Sequence, residues 1–565
     1  MTSASDDASG PATAIDVSSL HGRRALQRWE RVSVGDVFER LTWSYPEKDA
    51  IVAWEGACAD PALRRVSYRE ADALANRIAN ALLARGLRRG DRVLLFCENS
   101  VEAYLTKFGI AKAGLTCVPV NPLMAPDVVA HLIERTEPRF TLVDAELWPR
   151  AAPAFAARGL TPDVTIEIGG AAVAGSIPFA AFHADAPAHE PQVEIHGDDI
   201  WEIVFTSGTT ALPKGVMVSH SYSHLAAYSF ALTLTRGLRI ECDLKLCAFL
   251  PLIYHIADQI FSLPAFLSGG TLVIGRGYDP RQVAAAITKE RATALWAGSP
   301  AMLGELVGVL EREPLTHDLR SLTTAVYGWT AAPPGLVAAL KRHCGEQLVL
   351  CEILGQTEAI SCHRFWPDKW LDLFHRTAPE HNYVGVPNPL LAADVVDHEG
   401  RSLRDRPGVP GEVVYRSPVV TAGYYRDEEA TRAAFRDGWF HSGDVCVYDD
   451  DGLRIMVDRS KDIVKSGGEN VSSLRVEAVL HQHPGVAKAA VVGLPHERWG
   501  EAVTAFVVPA AGAELDPEAL IAWSRETLAG FEAPKRVVLV EQLPVTVGGK
   551  VLKYALRAEN KELYA

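Results

Sequence analysis

The sequence predicts an α/β fold: a large multi-subdomain N-terminal region with mostly parallel sheets, then a small α+β C-terminal domain. Three observations predict it. The chain has 565 residues, of which 48% are hydrophobic, so it can bury several cores and should divide into domains or subdomains. Helical and strand-like apolar patterns alternate along most of its length. Beyond about residue 450 the texture changes to a polar, glycine-bearing hairpin followed by short apolar runs.

The elements follow in order. "SYRE" is a capping box, with Ser67 as the cap and Glu70 reaching back. Leu74, Ile78 and Leu82 then share one helical face, and Gly86 ends the helix. "RGDRVLLFC" reads as a turn and a buried strand, "SVEAYLTKFGIAKAG" as a helix and "LTCVPVN" as the next strand. This is a β-α-β unit, and "RFTLVDAEL", "TLVIG" and "ATALWAG" continue the alternation. Such sheets hold ligands at the carboxyl ends of their strands. After "DDDGLRIMVDRSKDIVKSGGEN", the run "RVEAVLHQHP" predicts a short helix. "AKAAVVGLP" and "AVTAFVVPA" predict short strands, and "PEALIAWSRETL" another helix. The expected division is a disordered acidic tail over 1–30, a core over 31–459 and a C-terminal domain over 460–565.

Composition excludes some functions. A net charge of −14 argues against nucleic-acid binding, which needs basic surface. The nine cysteines are scattered without C-x-x-C spacing, as expected of core thiols in a reducing cytoplasm. No run approaches the ~20 apolar residues of a membrane span, and the N-terminus has no signal-peptide pattern.

The densest chemical signal is "TSGTTALPKG", Thr206 to Gly215, directly after the apolar run "WEIVF". Freed backbone N–H groups and the hydroxyls of Thr206, Ser207, Thr209 and Thr210 can converge on phosphate oxygens around Gly208. Lys214 adds a mobile positive charge. A nucleotide-hydrolase P-loop would read Gly-Lys-Ser/Thr. Here the order is Lys-Gly, which rejects that reading.

The loop instead resembles the phosphate loop of the adenylate-forming superfamily: acyl-CoA synthetases, luciferases and peptide-synthetase adenylation domains. Further stretches agree in the family's order: "LGQTE", "GEVVYRSPVVTAGYY", "DGWFHSGD", "VDRSKDIVKSGGENVS" and "LPVTVGGKVLK". The resemblance covers nearly all of the chain after about residue 30. It implies a large core with a small mobile lid, and a carboxylic acid–CoA ligase using ATP, Mg²⁺ and coenzyme A. The carboxylate attacks the α-phosphorus, pyrophosphate leaves, and the CoA thiolate then displaces AMP from the acyl-adenylate.

The resemblance also implies roles. Glu358 is the expected metal ligand, Thr357 bonds the α-phosphate, and Gln356 lies with the nucleotide. Asp444 accepts from the ribose hydroxyls, and Arg459 reaches ribose or phosphate. Lys550, on a glycine-flanked loop, bridges the carboxylate and the α-phosphate on closure. Lys461 is the hinge. Lys465, Ser466, Gly467 and Gly468 meet the pantetheine arm. His255 shields the carboxylate path. Ser299, Met302, Trp329, Glu352, Leu354 and Cys362 are expected to wall the acyl pocket, which would suit a fatty, aromatic or polycyclic acid.

Three departures stand out. Ala211 replaces a glycine after the two threonines, so that residue has φ < 0 or the loop path differs. Trp329 replaces a second glycine beside the acyl pocket, turned either inward or out into the core. "SSLRVE" lacks the family's Pro-x-Glu before the lid helix, with Arg475 in the glutamate's place. The acceptor also stays open between CoA, a separate carrier protein and an amine.

Overall fold

The architecture is a computed structural model. It describes residues 31–206, 213–328, 330–459, 462–466, 469–545 and 551–564, and the side chains of 361, 362 and 470 lie outside the description. Helix α1 (Tyr68–Ala84) has the predicted capping box, and Gly86, at φ +82°, lies just past its end. Strand β1 (Arg92–Phe96), helix α2 (Val101–Lys112), strand β2 (Thr116–Pro119) and strand β3 (Phe140–Asp144) follow. β1 pairs in parallel with both β2 and β3. Helix α2 is buried along its whole length, so its two lysines need partners inside the protein.

Strand β4 (Ile200–Phe205) joins β2 in parallel and runs into the phosphate loop. Strand β5 (Gly215–Ser219) returns antiparallel to it, completing a seven-stranded sheet. Helix α3 (His220–Leu234) is capped by the Ser219 hydroxyl.

A fourteen-stranded sheet carries the rest of the large region. Strands β6 (Lys245–Ala248), β7 (Ala294–Gly298), β8 (Thr324–Gly328) and β9 (Val349–Gln356) pair successively in parallel. The sheet then changes character. Strands β10 (Ala359–Phe365), β11 (Asn382–Pro387), β12 (Trp439–Tyr448) and β13 (Arg454–Arg459) join through antiparallel pairs. The mostly parallel expectation therefore ends at β9. Beyond it the connections are hairpins and loops, which antiparallel pairing accepts and parallel crossovers do not.

A separate five-stranded sheet lies past residue 460. It holds β14 (Val464–Ser466), β15 (Val486–His496) and β16 (Gly500–Pro509), with helix α5 (Ser473–Leu480) packed on β15. The expected short strands are in fact a long antiparallel hairpin, β15 with β16. Helix α6 (Lys553–Glu559) packs on β15 from near the C-terminus. Among the described residues no helix is long and apolar enough to cross a membrane.

Candidate active site

Three strand ends converge. Ser207 to Ala211 lie outside the described residues, so the φ of Ala211 does too. The neck of their loop is closed: Thr206 N–H donates to Lys214 O at 3.0 Å, and Lys214 N–H donates to Thr206 Oγ1 at 3.3 Å. Lys214 Nζ sits 4.7 Å above the ring of Tyr424, from the "AGYY" stretch. Tyr424 O–H donates to Glu358 Oε1 at 2.8 Å. The phosphate-loop lysine and the expected metal ligand thus share one buried tyrosine. Tyr424 is held by the preceding residue. Gly423 has φ +135°, and a Cβ there would lie 2.8 Å from Thr431 Cγ2, so only glycine fits.

Thr357 and Glu358 form the two-residue turn between β9 and β10, whose flanking residues Gln356 and Ala359 pair across it. The turn lies at the carboxyl end of β9, where parallel sheets hold ligands. Gln356 Nε2 reaches Asp444 Oδ2 at 3.4 Å, and Arg459 Nε lies 3.1 Å from Asp444 Oδ1. The Asp444 charge, helped by that of Glu358, raises the Arg459 pKa against the opposing effect of burial, so the guanidinium stays cationic. Glu358 thus offers its carboxylate close to the phosphate-loop lysine. That donor set suits Mg²⁺, which takes most of its oxygens from phosphates and water.

Known proteins match this arrangement. Residues 38–425 match the AMP-binding enzyme family, and residues 475–550 match the AMP-binding enzyme C-terminal domain. The chain belongs to the AMP-binding enzyme family. A feruloyl-CoA synthase of Amycolatopsis sp is 33% identical over 493 residues, 87% of this chain and 93% of that protein. A long-chain-fatty-acid–CoA ligase of Mycobacterium tuberculosis, FadD13, is 33% identical over 499 residues, 88% of this chain and 93% of that protein. The ATP-bound MatB of Rhodopseudomonas palustris aligns with a TM-score of 0.78 at 29% identity, over 94% of this chain and 100% of that one. This AMP-binding enzyme is an adenylate-forming ligase of the acyl-CoA synthetase kind.

Other sequence-marked residues are dispersed in the AMP-binding enzyme. His255 is exposed although its neighbours are buried, and its Nδ1 accepts from Ala257 N–H at 3.0 Å. Although its sequence neighbours are apolar, the residue does not lie in the core. Ser299 caps helix α4 (Pro300–Arg312) through Met302 N–H at 3.3 Å, and Met302 is buried in the main core.

The acyl-pocket set divides across β9. Cys351 and Ile353 face the main core, with Val326, Trp296 and Phe261. Glu352 faces the other side, opposite Tyr327, and Leu354 packs toward the antiparallel strands. The structure thus does not bring Glu352 and Leu354 together with Met302. Cys351 and Ile353 were missed because a strand buried on both faces shows no alternation. Trp329 lies outside the described residues, as does the side chain of Cys362.

On the C-terminal side, Lys461, Gly467, Gly468 and Lys550 lie outside the described residues. Their anchors are described. Asp462 N–H donates to Arg459 O at 2.8 Å, one on each side of the hinge position. Val545 and Val551 bridge, and Leu552 N–H donates to Pro544 O at 2.8 Å, closing the base of the loop that carries Lys550. Lys465 is exposed, with its N–H on Glu501 Oε2, and Ser466 is buried on β14.

The "SSLRVE" departure has a structural counterpart. Ser473 stands where the family has proline, and it offers an N–H and a hydroxyl that proline lacks. Both donate to Asp458 Oδ2, at 2.7 and 2.6 Å. Arg475, in the glutamate's place, pairs with Glu532 at 3.0 Å.

A buried ionic cluster had no sequence signal. Lys107 of α2 meets Glu202 of β4 at 2.5 Å, and also Asp258. Gln259 Nε2 donates to Glu202 and Asp258 at 2.9 and 2.8 Å. It joins the strand entering the phosphate loop to the segment after His255.

Proposed function

We propose that this enzyme is an ATP-dependent carboxylic acid–CoA ligase with a two-step cycle. In the first step a carboxylate oxygen attacks the α-phosphorus and the bond to pyrophosphate breaks. In the second the CoA thiol loses its proton, its sulfur attacks the acyl carbon, and AMP leaves. The observation that carries this reading is the link from Lys214 through Tyr424 to Glu358, beside Gln356, Asp444 and Arg459. One tip gathers a cation for phosphate oxygens, a carboxylate for a metal and an acceptor for ribose.

The first step joins two anions, so donors and cations set in advance lower its barrier. Lys214 and the hydroxyls of Thr206, Ser207, Thr209 and Thr210 hold the departing phosphates, with Gly208 giving the backbone room. Thr357 donates to the α-phosphate. Glu358 would hold Mg²⁺, which would neutralise charge on the phosphates when bound. Asp444 accepts from the ribose diol, with Arg459 and Gln356 holding its carboxylate. Lys550 bridges the carboxylate and α-phosphate. The chain past residue 460 acts as a lid turning about Lys461, and it brings Lys465, Ser466, Gly467 and Gly468 to the pantetheine arm for the second step. His255, exposed at the mouth, borders the carboxylate path. The reading places the enzyme in the cytoplasm, where ATP and CoA are supplied.

Acid-dependent exchange of pyrophosphate into ATP tests the first step across an acid panel. Loss of free CoA thiol tests the second. Exchange with no thiol loss, and acyl transfer to a carrier protein or an amine instead, would replace the CoA assignment. No exchange with any acid would overturn the ligase reading.

A further inference from the structure

Arg364, on β10, is 5% exposed, and among the described residues it has no carboxylate partner. One of its Nη groups donates to Thr233 Oγ1 at 2.9 Å, the other to Ser229 O at 3.1 Å and to Ser229 Oγ at 2.6 Å. Its Nε–H meets no acceptor among the described residues. Two residues on, the buried indole N–H of Trp366 also meets none. A second guanidinium, Arg236, lies 5.1 Å from the Trp366 ring, and its charge opposes that of Arg364. Asn388 Nδ2 donates to the same Ser229 Oγ at 2.5 Å. A buried cation is costly unless paired, and a buried N–H without an acceptor adds to that cost. Two cations and two unmet donors around one spot call for an anion.

The spot adjoins the acyl side of the sheet. Arg364 pairs across strands with Ile353, which faces the main core, and its guanidinium lies 4.6 Å from the Phe230 ring of that same core. Thr357 lies four residues beyond Ile353 along β9. At the usual strand rise that is roughly 13 Å. The distance is too great for the shortest diacids and suits medium-chain or aromatic ones.

We propose that the acid activated by this enzyme carries a second carboxylate at its far end, bound by Arg364 and the Trp366 N–H. This rests on the ligase reading and names the substrate class for it. A guanidinium suits a carboxylate geometrically, and charge-assisted bonds are the strong ones.

The test is pyrophosphate release over matched pairs: octanoate with suberate, decanoate with sebacate, p-toluate with terephthalate, and ferulate alone. At least one diacid is expected to exceed its monoacid partner by ~10-fold or more in kcat/KM. Arg364→Met should abolish that preference and leave the monoacid within about twofold. Trp366→Phe, which keeps the ring and removes the N–H, should weaken it in part and covers the case in which Arg364→Met does not fold. If every monoacid, or ferulate, outperforms the diacids on the wild type, the proposal is overturned. The same holds if Arg364→Met lowers both members of a pair equally with unchanged Tm. Thermal protection of the wild type, but not of Arg364→Met, by inorganic phosphate without any diacid preference would make this a free-anion site and also overturn it. Exchange with monoacids alone would keep the ligase reading and reject this one.

Discussion

Arg459 Nε lies 3.1 Å from Asp444 Oδ1, and the two residues are direct cross-strand partners on β12 and β13. The pairing fixes the carboxylate with one oxygen toward Arg459 and the other toward Gln356. A diol bound there meets an acceptor whose orientation is already set. Asp444→Ala should raise KM for ATP by ~10-fold or more, the cost of a lost bond to a charged group. Titration of initial rates against ATP checks this. An unchanged KM for ATP would remove Asp444 from the nucleotide site.

Glu358→Gln keeps the acceptor for Tyr424 O–H but loses the charge. Adenylation should fall by ~10²–10³, the usual loss for one preorganised electrostatic group, and the Mg²⁺ concentration for half-maximal rate should rise. Tyr424→Phe removes only the bond to Glu358 and keeps the ring under Lys214. Its loss should be smaller and should fall on KM for ATP more than on kcat. Equal damage from both variants would count against Glu358 as the metal ligand.

Much of this was legible in sequence because the chemistry sits at chain turns. Thr357 and Glu358 occupy a two-residue turn, and Asp444 follows a Ser-Gly pair, so the motifs survive as contiguous strings. What joins them was not legible. Tyr424 is remote in sequence from both Lys214 and Glu358, and nothing in its own neighbourhood names them. The face of β9 was illegible for another reason. That strand is covered on both sides, so Cys351 and Ile353 read no differently from Glu352 and Leu354. The antiparallel half of the large sheet was only partly legible: Asp451-Gly452 marks the hairpin of β12 and β13, but the turn at Thr357 and Glu358 carries no such dipeptide.

The cluster of Lys107, Glu202, Asp258 and Gln259 should matter more to stability than its distance from the motifs suggests. Burial, ahead of the Asp258 charge, raises the Glu202 pKa, and Lys107 is the cation that offsets the charge of the two carboxylates. Lys107→Met leaves them uncompensated and should cost about 3–5 kcal/mol. Urea unfolding at neutral pH measures it. A variant within about 0.5 kcal/mol of wild type would show the cluster to be energetically idle.

Glu352 gives a pH dependence with a definite sign. Burial pushes its carboxyl well above the usual carboxylate range, against a smaller opposing effect from the Tyr327 bond. A raised folded-state pKa means the native protein keeps a proton that the unfolded chain releases. The group's contribution is full below about pH 4.5 and is lost as pH rises toward the folded pKa. His220 and His224, held by burial down at about 3 and about 4, act in the opposite sense, but only below about pH 6.5. Between about pH 6.5 and 8 the carboxyl effect therefore stands clear of theirs. Glu352→Gln should flatten the fall in stability there by up to about 1.4 kcal/mol per pH unit. Parallel wild-type and variant curves would contradict this.

The clasp of Asp458 on Ser473 joins the last strand of the large sheet to the first helix of the C-terminal unit. Lys553 Nζ donates to Ser473 Oγ and pairs with Glu477 at 2.9 Å, and Arg557 pairs with Asp462 at 2.8 Å. Helix α6 is thus tied to the segment that follows the hinge position, including the serine that Asp458 holds. A lid that serves two half-reactions must exchange such contacts, and each one sets the balance between its two positions. Asp458→Ala removes two charge-assisted bonds made across the boundary. It should shift the ratio of adenylation to thioesterification by ~10-fold or more, because the second position does not depend on the same clasp. Single-turnover measurement of each half-reaction decides it. Ser473→Pro, which deletes both donors, should shift the ratio in the same direction. Opposite shifts, or proportional loss in both steps for both variants, would show that the clasp stiffens the fold without governing the lid.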